Sequence, residues 1–275
     1  MELLELHGMT KEFGGVVAVN EVSLVVRRGS ITSLIGPNGA GKTTLFNLMT
    51  GVYEPTRGRM TFEGRAVHGL RTDRIVTHGI ARTFQNIRLF GALSVLDNVR
   101  LGLHTQSRSG ALAAALRLPS MRREEAELTR RALDCLEFVG LRGRHGELAN
   151  SLAYGEQRLL EIARALACNP RLLLLDEPAA GMNPTETVEL MALIRRILDR
   201  GVTVFLIEHD MRLVMRVSDA VYVLDHGEVI ASGAPSDIQN DPRVIEAYLG
   251  ASHHAGDSPN AMPAPALVLG EEEAL

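Results

Sequence analysis

Two stretches of this 275-residue chain carry residue types suited to phosphate chemistry. The first, Gly36-Pro37-Asn38-Gly39-Ala40-Gly41-Lys42-Thr43, fits the pattern G-x-x-x-x-G-K-[ST], follows the apolar run Ile31 to Ile35 and precedes a helical pattern starting at Thr44. Glycines there let the backbone turn its N–H groups inward, and the helix N-terminus adds partial positive charge. Lys42 can reach the β- and γ-phosphates of a nucleotide, and the Thr43 hydroxyl can hold Mg²⁺. The second, Leu172-Leu173-Leu174-Leu175-Asp176-Glu177, ends an apolar run on two carboxylates. That places Asp176 at the carboxyl end of a buried strand, where ligands sit in open α/β sheets. Asp176 can serve the metal through water while Glu177 polarises an attacking water, since phosphoryl transfer asks a protein mainly for positioning and charge stabilisation. A further apolar run, Val202 to Ile207, ends in Glu208-His209-Asp210. His209 could touch a γ-phosphate, although a lone histidine is more often structural or solvent-exposed, and its own context favours that reading. Gln85, in Arg82-Thr83-Phe84-Gln85-Asn86, has no chemistry of its own to declare.

The elements that must position these groups read as an α/β body. Glu2 to Leu6, Val22 to Val26 and Ile31 to Ile35 are short strand patterns, the last two separated by the turn Arg28-Gly29-Ser30. The segment 170–249 again alternates apolar runs with helical patterns, as an open α/β sheet does. From about Ser94 to Ala149 the apolar spacing is helical, with an Arg/Glu-rich stretch from Met121 to Arg131, so a helical subdomain is expected there. Ala251 to Leu275 is rich in Ala, Pro, Gly and His and closes on Glu271-Glu272-Glu273, which predicts a disordered acidic tail. No internal repeat is visible.

Composition narrows the class. There are 29 Lys plus Arg against 33 Asp plus Glu, a formal net charge of −4, with 45% hydrophobic and 23% charged residues. A soluble globular protein is expected, and the acidic balance argues against a nucleic-acid binder. The two cysteines, Cys135 and Cys168, lie in helical patterns and read as small hydrophobes in a reducing compartment, not as a bridge. No apolar run approaches the roughly 18–20 residues of a membrane span, and Met-Glu-Leu-Leu-Glu-Leu at the start lacks the pattern of a signal peptide.

Together with Ser151-Leu152-Ala153-Tyr154-Gly155-Glu156-Gln157-Arg158, these motifs resemble the nucleotide-binding subunit of an ABC transporter. The octapeptide looks like a variant of the family signature Leu-Ser-Gly-Gly-Gln. It precedes the helical stretch Leu159 to Ala167 and then the acidic strand, in the family's order. The resemblance covers residues 1–250. It implies a P-loop NTPase ABC cassette: a RecA-like α/β core, an antiparallel β portion, and an inserted helical subdomain at about 94–165 carrying the signature. It also implies ATP with Mg²⁺ as ligands. Gly36, Pro37, Asn38, Gly39, Ala40, Gly41, Lys42, Thr43 and Thr44 would hold the nucleotide, with Phe13 stacking on adenine. Asp176 resembles the metal-contacting acid, joined by Thr43 and Gln85; Glu177 resembles the catalytic base and His209 the switch histidine. In such proteins two cassettes pack head to tail, so Leu152, Ala153, Tyr154, Gly155 and Glu156 would cap the ATP of the facing cassette, a second copy or a paralogue. Two membrane permeases and, indirectly, a periplasmic or extracellular solute-binding protein complete the assembly, with the cassette peripheral on the cytoplasmic face of the inner membrane.

Three positions depart from the family pattern. The usual signature serine is Ala153, the usual glutamine is Glu156, and the usual aspartate of the loop after Glu177 is Asn183. Gly155 and the helix N-terminus are left to carry more of the contact with the opposing phosphate. With Asp-Glu-Pro-Ala-Ala-Gly-Met-Asn, Glu208-His209-Asp210-Met211 and the ending Asp241 to Gly250, the motifs closely resemble one of the two ATPases of bacterial branched-chain amino-acid importers. Importers of urea, amides or other amino acids use similar ATPases and stay open as alternatives. A soluble cassette acting on ribosomes or DNA is disfavoured by the single cassette, modest insert and charge; a non-hydrolysing binder, by the presence of Glu177 and His209. An exporter ATPase is disfavoured because its cassette is often fused to the membrane domain and its signature is commonly the standard one.

Overall fold

The computed structural model of the chain describes residues 1–103 and 119–254. Strands β1 (Glu2–Phe13) and β2 (Val16–Arg27) form a long antiparallel hairpin. Strands β4 (Arg57–Phe62) and β5 (Arg65–Ala66) extend it into a four-stranded sheet ordered β2-β1-β4-β5. A second sheet holds β3 (Ile31–Ile35), β6 (Ile80–Arg82), β7 (Leu172–Asp176), β8 (Thr203–Ile207), β9 (Ala220–Asp225) and β10 (Glu228–Gly233) in the order β10-β9-β3-β8-β7-β6. All its neighbours are parallel except the edge strand β10. Helix α1 (Lys42–Met49) follows β3, and α2 (Thr72–Thr77) precedes β6. Helices α3 (Val95–Leu103), α4 (Pro119–Phe138) and α5 (Tyr154–Ala167) form the insert between β6 and β7. The remainder is α6 (Pro184–Asp199), α7 (Met211–Val217), α8 (Pro235–Gln239) and α9 (Pro242–His254).

The three central strands β3, β7 and β8 are buried throughout, which is why they read as continuous apolar runs. The side chains of β7 and β8 alternate between two cores. Leu173 and Leu175 of β7 face the helical insert with Val204 and Leu206 of β8. Leu172, Leu174, Phe205 and Ile207 face α1 and the antiparallel sheet. Burial of each such leucine stabilises the fold by about 2 kcal/mol.

Several elements run past their sequence patterns. The β1–β2 ladder shifts register between Leu6 and Met9 and again before Lys11, so alternation breaks while pairing continues. Helix α1 starts at Lys42, two residues before the expected Thr44, because Gly41 (φ +99°) turns the chain at its N-cap. Helix α5 starts at Tyr154, before Leu159, with the Glu156 carboxylate accepting from the Ala153 amide at 3.1 Å. Helix α9 continues to His254, into the segment expected to be a tail, since the next helix breaker is Gly256. The rest of that tail, 255–275, lies outside the described residues, as does 104–118 of the helical stretch. Cys135 and Cys168 are partly buried, Cys168 Sγ meeting the Gly102 carbonyl at 3.4 Å, and burial raises the Cys135 pKa.

Helices α3 and α5 cross closely at Gly102, where an added Cβ would lie 2.4 Å from the Arg164 carbonyl oxygen. Gly102→Ala is expected to cost about 1–3 kcal/mol in urea unfolding through forced separation of the two helices. An unchanged midpoint and slope would show that the insert does not depend on this contact.

Candidate nucleotide site

Strand β3 delivers the chain straight into the phosphate loop. Gly36 (φ +151°) leaves no room for a side chain, a Cβ there falling 2.0 Å from the Leu224 carbonyl oxygen. Gly41 is equally constrained, 2.4 Å from the Ala18 carbonyl oxygen. The loop therefore lies against β9 and β2 with its shape set by backbone packing. Lys42 opens α1 and folds back over the loop, its Nζ donating to the carbonyls of Gly36 (2.7 Å) and Pro37 (2.8 Å). Burial lowers its pKa, while the nearby carboxylates of Glu177 and Asp176 act the other way. Such an ammonium, held only by neutral carbonyls, is well placed to exchange them for phosphate oxygens. Thr43 is exposed and Thr44 half-buried at the same helix start, and Tyr248 of α9 meets the Gly36 backbone.

At the end of β7, Asp176 is buried and Arg82, from the end of β6, donates to its Oδ2 at 2.7 Å. The same guanidinium donates to Asn47 Oδ1 (2.7 Å) and Thr50 Oγ1 (3.2 Å), so it ties the acidic strand to α1. Burial raises the Asp176 pKa and Arg82 opposes it. Glu177 follows with φ +45°, a left-handed backbone that costs a non-glycine residue about 1–3 kcal/mol, held by its amide on the Ile207 carbonyl at 2.9 Å. Gln85 Nε2 donates to Glu177 Oε2 at 3.1 Å. His209 is exposed, its Nδ1 3.7 Å from both Glu177 Oε2 and Glu208 Oε2. Glu208 is fully buried and takes the amides of Ala179 (2.9 Å) and His209 (3.1 Å), locking the β7 and β8 exits together.

The donors proposed for Mg²⁺ are the Thr43 hydroxyl, the Gln85 amide oxygen and the Asp176 carboxylate. Among the described residues no group of three or more His, Cys, Asp or Glu forms a metal cage. A sparse set of hard oxygen donors fits an ion that keeps waters and phosphate oxygens in its shell.

The other expected contacts lie at a distance along the chain. Phe13 is exposed at the tip of β1, edge-on to Tyr53 (centroids 5.2 Å), and is not part of the core. Leu152 is buried, whereas Ala153 and Tyr154 are exposed at the start of α5. Ala153 has no side-chain acceptor, so the first-turn amides of α5 lack the cap a serine would give. The Glu156 carboxylate turns back to the Ala153 amide and to Arg144 Nη2 at 3.0 Å. Asn183 caps α6 through a reciprocal pair with Glu186, both at 2.9 Å, a task asparagine performs as well as aspartate.

A family described as ABC transporter matches residues 19–180, and one described as branched-chain amino acid ATP-binding cassette transporter matches 228–254. This chain belongs to the ABC transporter ATP-binding cassettes. The cassette is 48% identical over 249 residues to the high-affinity branched-chain amino acid transport ATP-binding protein LivG of Salmonella typhimurium, covering 90% of this chain and 98% of that one. It is 47% identical, at the same coverage, to BraF of Pseudomonas aeruginosa, which carries the same description. Among solved structures, a nucleotide-free ATP-binding cassette from an ABC transporter superposes with a TM-score of 0.80 at 32% identity, over 90% of this chain and 99% of that one. A dimeric post-hydrolysis cassette bound to ADP and Pi does so with a TM-score of 0.72 at 27% identity, over 85% and 99%.

Sequence reasoning passed over the buried charges that organise this cassette: Arg82, Glu208, and the pair Arg158 and Glu161 on α5. The available signal was a charged residue inside an otherwise apolar face, as with Glu161 between Leu160 and Ile162.

Arg82→Met leaves Asp176 buried without its cation, and a loss of about 3–5 kcal/mol is expected in urea unfolding. A loss under about 1 kcal/mol would show the pair to be solvated in solution. Burial raises the Glu208 pKa, with the Ala179 and His209 amides favouring the carboxylate. The folded chain then takes up this proton at higher pH than the unfolded chain, so the Glu208 contribution to stability falls as pH rises through that window. Glu208→Gln removes the dependence: its stability relative to the parent should improve from about pH 5 to about pH 8. A constant difference would contradict a buried ionisable carboxyl.

Proposed function

We propose that this chain is the ATP-hydrolysing subunit that energises an ABC importer of branched-chain amino acids, leucine, isoleucine and valine. The observation that carries the reading is the convergence of Lys42, Asp176, Glu177, Gln85 and His209 at one edge of the parallel sheet. The solute class is supported by the near full-length identity to branched-chain transport ATPases and by the match over 228–254.

In this reading Lys42 and the loop amides bind the β- and γ-phosphates, and Phe13 stacks on adenine. Thr43, Gln85 and Asp176 would hold Mg²⁺, which supplies charge neutralisation at the phosphate oxygens. Glu177 accepts the proton of the attacking water, with Gln85 fixing the orientation of its carboxylate. His209 turns toward the γ-phosphate from its exposed position beside Glu177. A second cassette, a copy or a paralogue, presents its own segment equivalent to 152–156 to complete the site, and the uncapped amides at the start of α5 suit an anion there.

Among the described residues no helix is long and apolar enough to cross a membrane, so passage of the solute falls to two permeases on which this chain docks from the cytoplasmic side. Exposed Phe90, Leu93 and Leu148 support a partner surface next to the Gln85 loop. They are brought together by the bridge between Ser94 and Leu148 and by the bond from the Ala149 amide to the Leu93 carbonyl.

Lys42→Ala is expected to abolish ATP binding, and Glu177→Gln to keep binding while lowering turnover at least about 100-fold. Unchanged turnover in Glu177→Gln would remove the assignment of the base. Uptake of labelled leucine in cells lacking the gene should return with the intact chain and not with Lys42→Ala. Leucine uptake that never depends on the gene would move the solute to urea, amides or other amino acids.

A further inference from the structure

Arg158 and Glu161 lie one turn apart on α5, both fully buried, with Arg158 Nη1 3.1 Å from Glu161 Oε2. Most of their bonding capacity goes to another segment. Arg158 donates to the carbonyls of Phe84 (2.6 Å) and Gln85 (2.8 Å). Glu161 Oε1 accepts from the amides of Phe84 (3.3 Å) and Arg88 (3.4 Å). Arg164, one turn further, donates to the Arg88 carbonyl at 2.5 Å. Residues 84–88 belong to no helix or strand, so these side chains stand in for the ladder that the loop backbone lacks. Arg158 Nη2 also donates to the Tyr154 hydroxyl at 3.3 Å, and the Tyr154 ring lies over Gly181 in the loop after Glu177, where a Cβ would be 3.0 Å from Tyr154 Cε1.

We propose that the buried Arg158–Glu161 pair clamps the Gln85 loop to α5, so that the group holding Glu177 and the signature end of α5 move as one body. The continuous path runs from Glu177 Oε2 to Gln85 Nε2, through the loop backbone to Arg158, and on to Tyr154 and Gly155. An event at this chain's own γ-phosphate is thereby passed to the surface that faces the second nucleotide. The pair acts as positioning residues and touches no reacting atom. A buried ion pair is often replaceable by apolar side chains at little cost in stability. Its physical distinction here is that four of its bonds fix a loop backbone that apolar groups could not hold.

The inference rests on the nucleotide-site reading, and the test separates the two. The full-length chain and the double variant Arg158→Met with Glu161→Met, which keeps volume without leaving a lone charge, are compared by hydrogen exchange with and without Mg-AMP-PNP. Without nucleotide, amides of 84–88 in the variant should exchange at least about ten-fold faster while β3 and β7 keep their protection. AMP-PNP should alter exchange at both 83–88 and 152–158 in the parent. In the variant the response at 152–158 should be lost, with affinity for AMP-PNP within about three-fold of the parent. Unchanged exchange of 84–88, or a signature segment that still responds in the variant, would overturn the clamp. If the parent does not bind AMP-PNP, the nucleotide-site reading fails and the nucleotide-free comparison still decides the clamp. Should the double variant not fold, Glu161→Leu serves: it removes the acceptor of the Phe84 and Arg88 amides, which exchange faster if the clamp exists and are unchanged if it does not.

Discussion

Ile207 at the end of β8 pairs with Leu34 of β3 on one side and with Asp176 of β7 on the other. That shared register brings the exits of three buried strands to one level, and the phosphate loop, the acidic pair and the Glu208-His209 turn all begin within two residues of it. Gly36 starts the phosphate loop after β3, Glu177 follows Asp176, and Glu208 and His209 follow Ile207. The register is enforced from both faces, because β7 and β8 alternate apolar side chains between two separate cores and β3 adds Ile31 to one and Leu34 to the other. A slip of one residue would exchange the faces of a whole strand and turn Asp176 away from Arg82.

Buried charge then ties the layers to this edge. Arg82 bonds Asp176 and reaches Asn47 and Thr50, so the metal-side acid and the helix after the phosphate loop share one cation. Glu208 binds the backbone that follows β7 and β8 through the Ala179 and His209 amides. Arg158 and Glu161 do the same work between the helical insert and the Gln85 loop. The result is an active edge whose α/β part is stiff and whose link to the insert runs through a loop clamped to α5.

The legible part of this protein was the part with a local cause. The phosphate loop, β3 and the acidic strand declared themselves because full burial demands unbroken apolar runs and the loop demands glycine. The hairpin β1–β2 was read short because its register shifts break the alternation on which strand reading depends. The start of α5 was read late because its N-cap is Ala153, which carries no capping side chain. Arg82, Glu208, Arg158 and Glu161 went unread because their meaning lies in partners 29 to 94 positions away or in backbone groups, which spacing along the chain does not display. Asn183, which stands where the family has aspartate, is the N-cap of α6.

In the proposed reading ATP is held between the phosphate loop of one cassette and the signature segment of another. The most direct measurement is the structure of the assembled transporter carrying Glu177→Gln with MgATP bound. The γ-phosphate is expected within hydrogen-bond distance of Lys42 on one side and of the backbone at the signature segment of the facing cassette on the other. A γ-phosphate contacted by groups of a single cassette alone would contradict it.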